Sequence, residues 1–98
     1  MEAVRLVRPL LERIRRGHRG LADQVVRAAT SVVLNIGEGS KRRGADRAQF
    51  YRIAAGSAAE VRCALDAAEA LGFVERAEIA AAWDRFDQVV AMLVTITR

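Results

Sequence analysis

"SVVLNIGEGSKRRG", residues 31–44, decides the fold. It opens with apolar residues, crosses Gly37 and Gly39, and reaches three consecutive cations, Lys41, Arg42 and Arg43. Taken alone, the first half reads as a buried strand and the second as a phosphate-cradling loop. The upstream residues decide otherwise. Leu21, Val25, Ala28, Val32 and Ile36 recur at helical spacing, and Ala29, Val33 and Leu34 widen the stripe. This periodicity lasts about seventeen residues, whereas strands are typically about five or six. The stretch is therefore the end of an amphipathic helix followed by a basic corner. The helix is expected to stop near Glu38, with Gly39 as the left-handed residue that closes it.

The loop motifs fail on their chemistry. Gly39 and Gly44 have the separation of a P-loop, but Ala45 and Asp46 stand where a lysine and a hydroxyl residue are needed. Gly37 and Gly39 begin a dinucleotide fingerprint, but Arg42 occupies the place of its third glycine.

Working outward, three further helices are expected. Val4, Val7, Leu11 and Ile14 form a stripe over about residues 3–16, which Pro9 leaves short, bent, or beginning near Arg8. The second helix covers about 20–38. The third, about 46–71, starts at "DRAQF", where Asp46 and Gln49 have the chemistry of a capping box. Its inner face is traced by Phe50, Ile53, Ser57, Val61, Ala64, Leu65, Ala68 and Leu71. Ala54, Ala55, Ala58 and Ala59 form a second face that lets another helix approach closely. Gly72 ends it. The fourth, about 75–97, carries Ile79, Trp83, Phe86, Val90, Leu93 and Ile96, with Glu75 and Glu78 suiting its N-terminus. Short loops between long helices imply antiparallel neighbours. The expected fold is all-α: one up-down-up-down four-helix bundle over residues 1–98.

Composition agrees. The chain is 52% hydrophobic with one proline, and alanine dominates its second half. No apolar run is long enough to span a membrane, and the N-terminus lacks the order of a signal peptide, so a cytoplasmic protein is expected. The single cysteine, Cys63, is expected as a small buried hydrophobe, and His18 has no partner for a metal site. Trp83 is expected in the core rather than as a base-stacking platform. No cofactor motif is present. Paired carboxylates such as Asp66/Glu69 and Asp84/Asp87 have the spacing of solvated helical faces, and no nucleophile–base set can be drawn, so an enzyme is not expected.

Charge is uneven. Residues 1–52 hold twelve Lys/Arg and five Asp/Glu, a balance of +7; residues 53–98 hold four and seven, a balance of −3. Such asymmetry points to a polyanion-facing end or to complementary surfaces that meet in an oligomer. Asn35 and Glu38 lie one turn apart late in helix two, as do Ser57 and Glu60 in helix three. An antiparallel hairpin can bring these four together as a hydrogen-bonded network that fixes register.

Gln24, Arg27, Ala28, Ser31, Asn35, Ile36, Glu38 and Gly39, then Phe50, Ala54, Gly56, Ser57, Glu60, Leu71, Gly72 and Phe73, follow one pattern in order. Over residues 21–74 the chain thereby resembles the bacterial four-helix-bundle proteins encoded within 23S rRNA intervening sequences. Gly37 stands where the pattern usually has alanine, "RRGHRG" replaces an acidic loop, and the first helix is shorter. The resemblance implies a homopentamer. It also implies a relation to the accessory variability proteins of diversity-generating retroelements, which are basic, pentameric and associated with nucleic acid and a reverse transcriptase. The leading expectation is a non-catalytic oligomer binding RNA or DNA through Lys41, Arg42, Arg43 and Arg47. The competing one is a scaffold that docks an acidic partner or a reverse-transcriptase-like protein. Arg13, Arg15, Arg16 and Arg19 make a second basic cluster at the opposite end.

Overall fold

In the computed structural model, which describes residues Met1–Arg98, the chain is all-α and packs as a four-helix bundle about 42 × 20 × 18 Å. The first of the four columns is interrupted. α1 (Glu2–Val7) runs into a 3-10 turn, Arg8–Leu10, and then into α2 (Leu11–Gly17). Pro9 sits in the first positions of that turn, where its missing N–H is least costly. The break changes the neighbours: α1 packs against the last helix, whereas α2 packs against the next one.

α3 (Arg19–Ser40) starts one residue before and ends two residues after its expected limits. The "GHRG" segment is not an open loop, because His18 is the N-cap and its Nδ1 accepts the Leu21 N–H at 2.9 Å. The expected closure at Gly39 is corrected. Gly39 is helical and buried, and the chain turns later, at Gly44 with φ +57°. A Cβ on Gly39 would lie 2.5 Å from the Tyr51 ring. Glycine is needed there for close approach, not for a left-handed backbone.

α4 (Gly44–Ala70) begins two residues early, and this removes the Asp46/Gln49 capping box. Asp46 falls in the first turn, Arg43 is the N-cap, and no side chain caps the helix. The far end closes as expected at Gly72, φ +84°. There Phe73 N–H donates to Ala68 O and Gly72 N–H to Glu69 O, the paired bonds of a Schellman motif. α5 (Arg76–Ile96) holds the capping box: Glu75 and Glu78 bond each other's backbone reciprocally, with Glu75 N–H donating to Glu78 Oε1 at 2.7 Å.

Side-chain registers show that the helices alternate in direction. Gln24 meets Glu60 and Ser31 meets Ser57 across α3–α4; Arg62 meets Asp87 and Arg76 meets Asp66 across α4–α5. Arg13 of α2 pairs with Glu78 near the start of α5. The core is built on Ile14, Val25, Val32, Val61, Leu65, Ile79 and Phe86, all fully buried.

Both expected faces of α4 are packed: Ser57, Val61, Ala64, Leu65 and Ala68 are inside, and so are Ala54, Ala55 and Ala58 of the alanine face. Two expected inner residues, Ile53 and Leu71, are exposed instead. A central helix is brought close to two neighbours by small residues, which leaves these larger side chains outside. Val33 and Leu34 of α3 and Ile96 of α5 are likewise exposed. Cys63 is exposed rather than buried, because Ala64 and Leu65 take the inward positions beside it. Trp83 packs partly buried on the core with Arg62 over its ring at 5.6 Å. Its indole Nε1 is buried without a hydrogen-bond partner.

Candidate functional site

The α3–α4 corner brings Lys41, Arg42, Arg43 and Arg47 together on exposed positions at one end of the bundle. They are not equivalent. The Arg42 guanidinium lies between Glu38 and Asp46, 3.9 Å from each, and stacks over Phe50 at 5.3 Å. Arg47 Nε donates to Gly39 O at 3.3 Å, serving a carbonyl near the end of α3. Both arginines are partly engaged in holding the corner. Lys41 and Arg43 have no carboxylate partner. Arg52 also lies at this end, where its Nη2 donates to Thr97 O at 3.2 Å; it is not among the cations singled out from the sequence.

The four polar residues Asn35, Glu38, Ser57 and Glu60 do not form one network. Ser57 Oγ donates to Ser31 Oγ at 2.8 Å, and Asn35 Nδ2 donates to Ser31 Oγ at 3.0 Å and to Ser31 O at 2.8 Å. Ser31 is thus the hub that joins Asn35 to Ser57. Glu60 belongs to a second group: Gln24 Nε2 donates to Glu60 Oε2 at 3.0 Å, and Arg27 Nη2 donates to Gln24 Oε1 at 3.1 Å. Glu38 joins neither, because it lies a turn nearer the corner, where Arg42 takes it. Gln24, Arg27, Ser31, Ser57 and Glu60 line a shallow polar cleft of about 210 Å³ between α3 and α4.

Ser57 is the one buried polar residue of the chain, and its bond to Ser31 satisfies it. Sequence reasoning missed Ser31 as a partner. The available signal was spacing: Gln24, Arg27, Ser31 and Asn35 recur three or four residues apart, along one edge of α3.

The second basic cluster is partly paired: Arg13 meets Glu78, Arg15 and Arg16 share Glu12 at 3.4 and 3.9 Å, and Arg19 is exposed without a carboxylate partner. Glu78 is held below the usual carboxylate range, first by the backbone N–H of Glu75, against an opposing effect of burial, and then by Arg13. No helix is long and apolar enough to cross a membrane.

The chain is thus an all-α four-helix bundle whose α3–α4 seam is bridged by polar side chains. The chain belongs to the 23S rRNA-intervening sequence protein family, whose profile matches residues 2–95. The fold is also that of a crystal structure of a protein with unknown function from the S23 ribosomal protein family of Bacteroides thetaiotaomicron. The two share 21% identity with a TM-score of 0.82, over 98% of this chain and 91% of that one. Comparison with curated proteins gives no match.

Proposed function

We propose that the protein is a non-catalytic, self-associating helical module that binds RNA or DNA through the α3–α4 corner. The observation that carries this reading is the pair Lys41 and Arg43, exposed and without carboxylate partners beside the uncapped start of α4. Free cations that neutralise phosphates release counterions, which makes binding strong at low salt and weakly dependent on sequence. Arg42 and Arg47 hold the corner in shape and add charge to it. Self-association is supported by exposed apolar side chains on three helices, among them Leu34, Ile53 and Met92, and five copies is the number the family resemblance implies. A ring of copies would multiply weak corner contacts along one polyanion.

The test is fluorescence anisotropy with a labelled RNA hairpin and a labelled DNA duplex at about 50 mM and 200 mM salt, the range over which phosphate-driven binding falls steeply. Lys41→Glu/Arg43→Glu is expected to weaken binding at least about tenfold at the lower salt. Absence of binding at low salt, or an unchanged affinity in the double variant, refutes the reading. A nucleic-acid-free preparation that instead retains an acidic protein would move the corner to protein docking. Light scattering should give a mass near five times 10.7 kDa, and a monomer rejects the pentamer.

A further inference from the structure

The Pro9 break opens a second surface, well away from the basic corner. Because α1 leans on α5 while α2 leans on α3, a cleft of about 280 Å³ is left between α1 and α3. Val4, Val7 and Leu11 form one wall and Val26 and Ala29 the other. Val26 is 42% exposed, so the cleft is an apolar surface that the chain itself does not cover. Its outer edge carries Arg5 of α1 and Arg8 of the 3-10 turn, both exposed, about one turn apart, and neither paired with a carboxylate. No acidic residue lines it.

We infer that this cleft is a docking groove for an amphipathic helix of a partner protein bearing carboxylates along one flank. The walls are helices whose lining residues repeat every three or four positions, so ridges of a third helix interdigitate with them. An apolar stripe in the groove buries the exposed part of Val26 and the partly exposed Val4 and Leu11. Carboxylates spaced one turn apart then face Arg5 and Arg8, which supply orientation and exclude a basic helix. The charge on one edge specifies an acidic occupant. The basic corner plays no part in this contact, so the inference stands or falls separately from nucleic-acid binding.

A displayed library of helical peptides, randomised at its surface positions, is panned on the intact protein. Enriched peptides are expected to carry two apolar residues three or four apart, with acidic residues on one side. The best of these, synthesised and labelled, should bind at least about tenfold more weakly to Val26→Asp and to Arg5→Glu/Arg8→Glu, and as before to Lys41→Glu/Arg43→Glu. Val26 is half exposed, so Val26→Asp should keep its helical circular dichroism and melting behaviour; Val26→Thr, a milder change, serves if it does not. Failure to enrich any helix, enrichment without acidic residues, or binding indifferent to the groove variants overturns the inference. So does a fall in molecular mass on Val26→Asp, which would give the groove to a second copy of this chain.

Discussion

Gly39 and Tyr51 touch where α3 and α4 converge, with the phenol ring lying where a β-carbon of residue 39 would be, 2.5 Å from its ideal position. The contact fixes how closely the two helices meet at the corner, and therefore where Lys41 and Arg43 are presented. Gly39→Ala is expected to destabilise the fold by about 1–3 kcal/mol through overpacking, even though alanine is the better helix former. Gly37 sits two residues earlier with nothing within 4 Å of its missing β-carbon. Gly37→Ala should therefore stabilise by about 0.5–1 kcal/mol. Urea denaturation of the two variants checks the opposite signs.

Ser31 and Ser57 should be energetically coupled. Each single alanine variant is expected to cost about 1 kcal/mol, and the double variant less than the sum, since removing either ends the same bond. Strict additivity in a double-mutant cycle would mean that the hydroxyl pair contributes nothing to the seam.

The corner cations should divide by role. Lys41→Ala and Arg43→Ala are each expected to reduce the salt dependence of RNA or DNA binding, by about 0.9 in the log–log slope for every phosphate no longer neutralised, with little effect on melting. Arg42→Ala and Arg47→Ala should lower the melting temperature as well, because Arg42 packs on Phe50 and Arg47 serves Gly39 O. Salt titrations run beside thermal melts separate the two pairs.

Acid should loosen the start of α5. The folded state lowers the pKa of Glu78, so its contribution to stability is present above the unfolded value of about 4.3 and is lost as pH falls through the lowered one. Melting temperature should decline over that window, and Glu78→Gln should flatten the decline while lowering stability at neutral pH. An unchanged pH profile in Glu78→Gln would remove Glu78 from the acid response.

Much of this architecture is legible in the chain, and the failures have physical causes. Four helical stretches follow from apolar periodicity, and Gly72 from its place after the last turn of α4. Helix limits near Gly39 and Asp46 do not, because a glycine reads as a turn whether it serves φ or close approach, and only Tyr51 tells which. On α4 the inner residues Ser57, Val61, Leu65 and Ala68 and the close-packed alanine face are legible, but Ile53 and Leu71 are misplaced, because size suggests burial where the bundle admits alanine. Asn35 and Ser57 are visible as polar residues near apolar stripes. Ser31 is marked only by its spacing from Gln24, Arg27 and Asn35, since a helical serine by itself gives no sign of whether its hydroxyl meets water or another helix. Which cations of the corner are free depends on Glu38 and Asp46 converging on Arg42, and that is a matter of rotation about two helix axes.

The interrupted first column gives the molecule two thresholds of opening. α1 is six residues long, is anchored by Ala3 and Val7, and is joined to the rest only through the turn at Pro9. Its amides should exchange with deuterium well before those of α3 and α4, through a local detachment from α5 that leaves the other helices assembled. The groove against α3 exists only while α1 is seated, so a helix bound there would slow exchange in both.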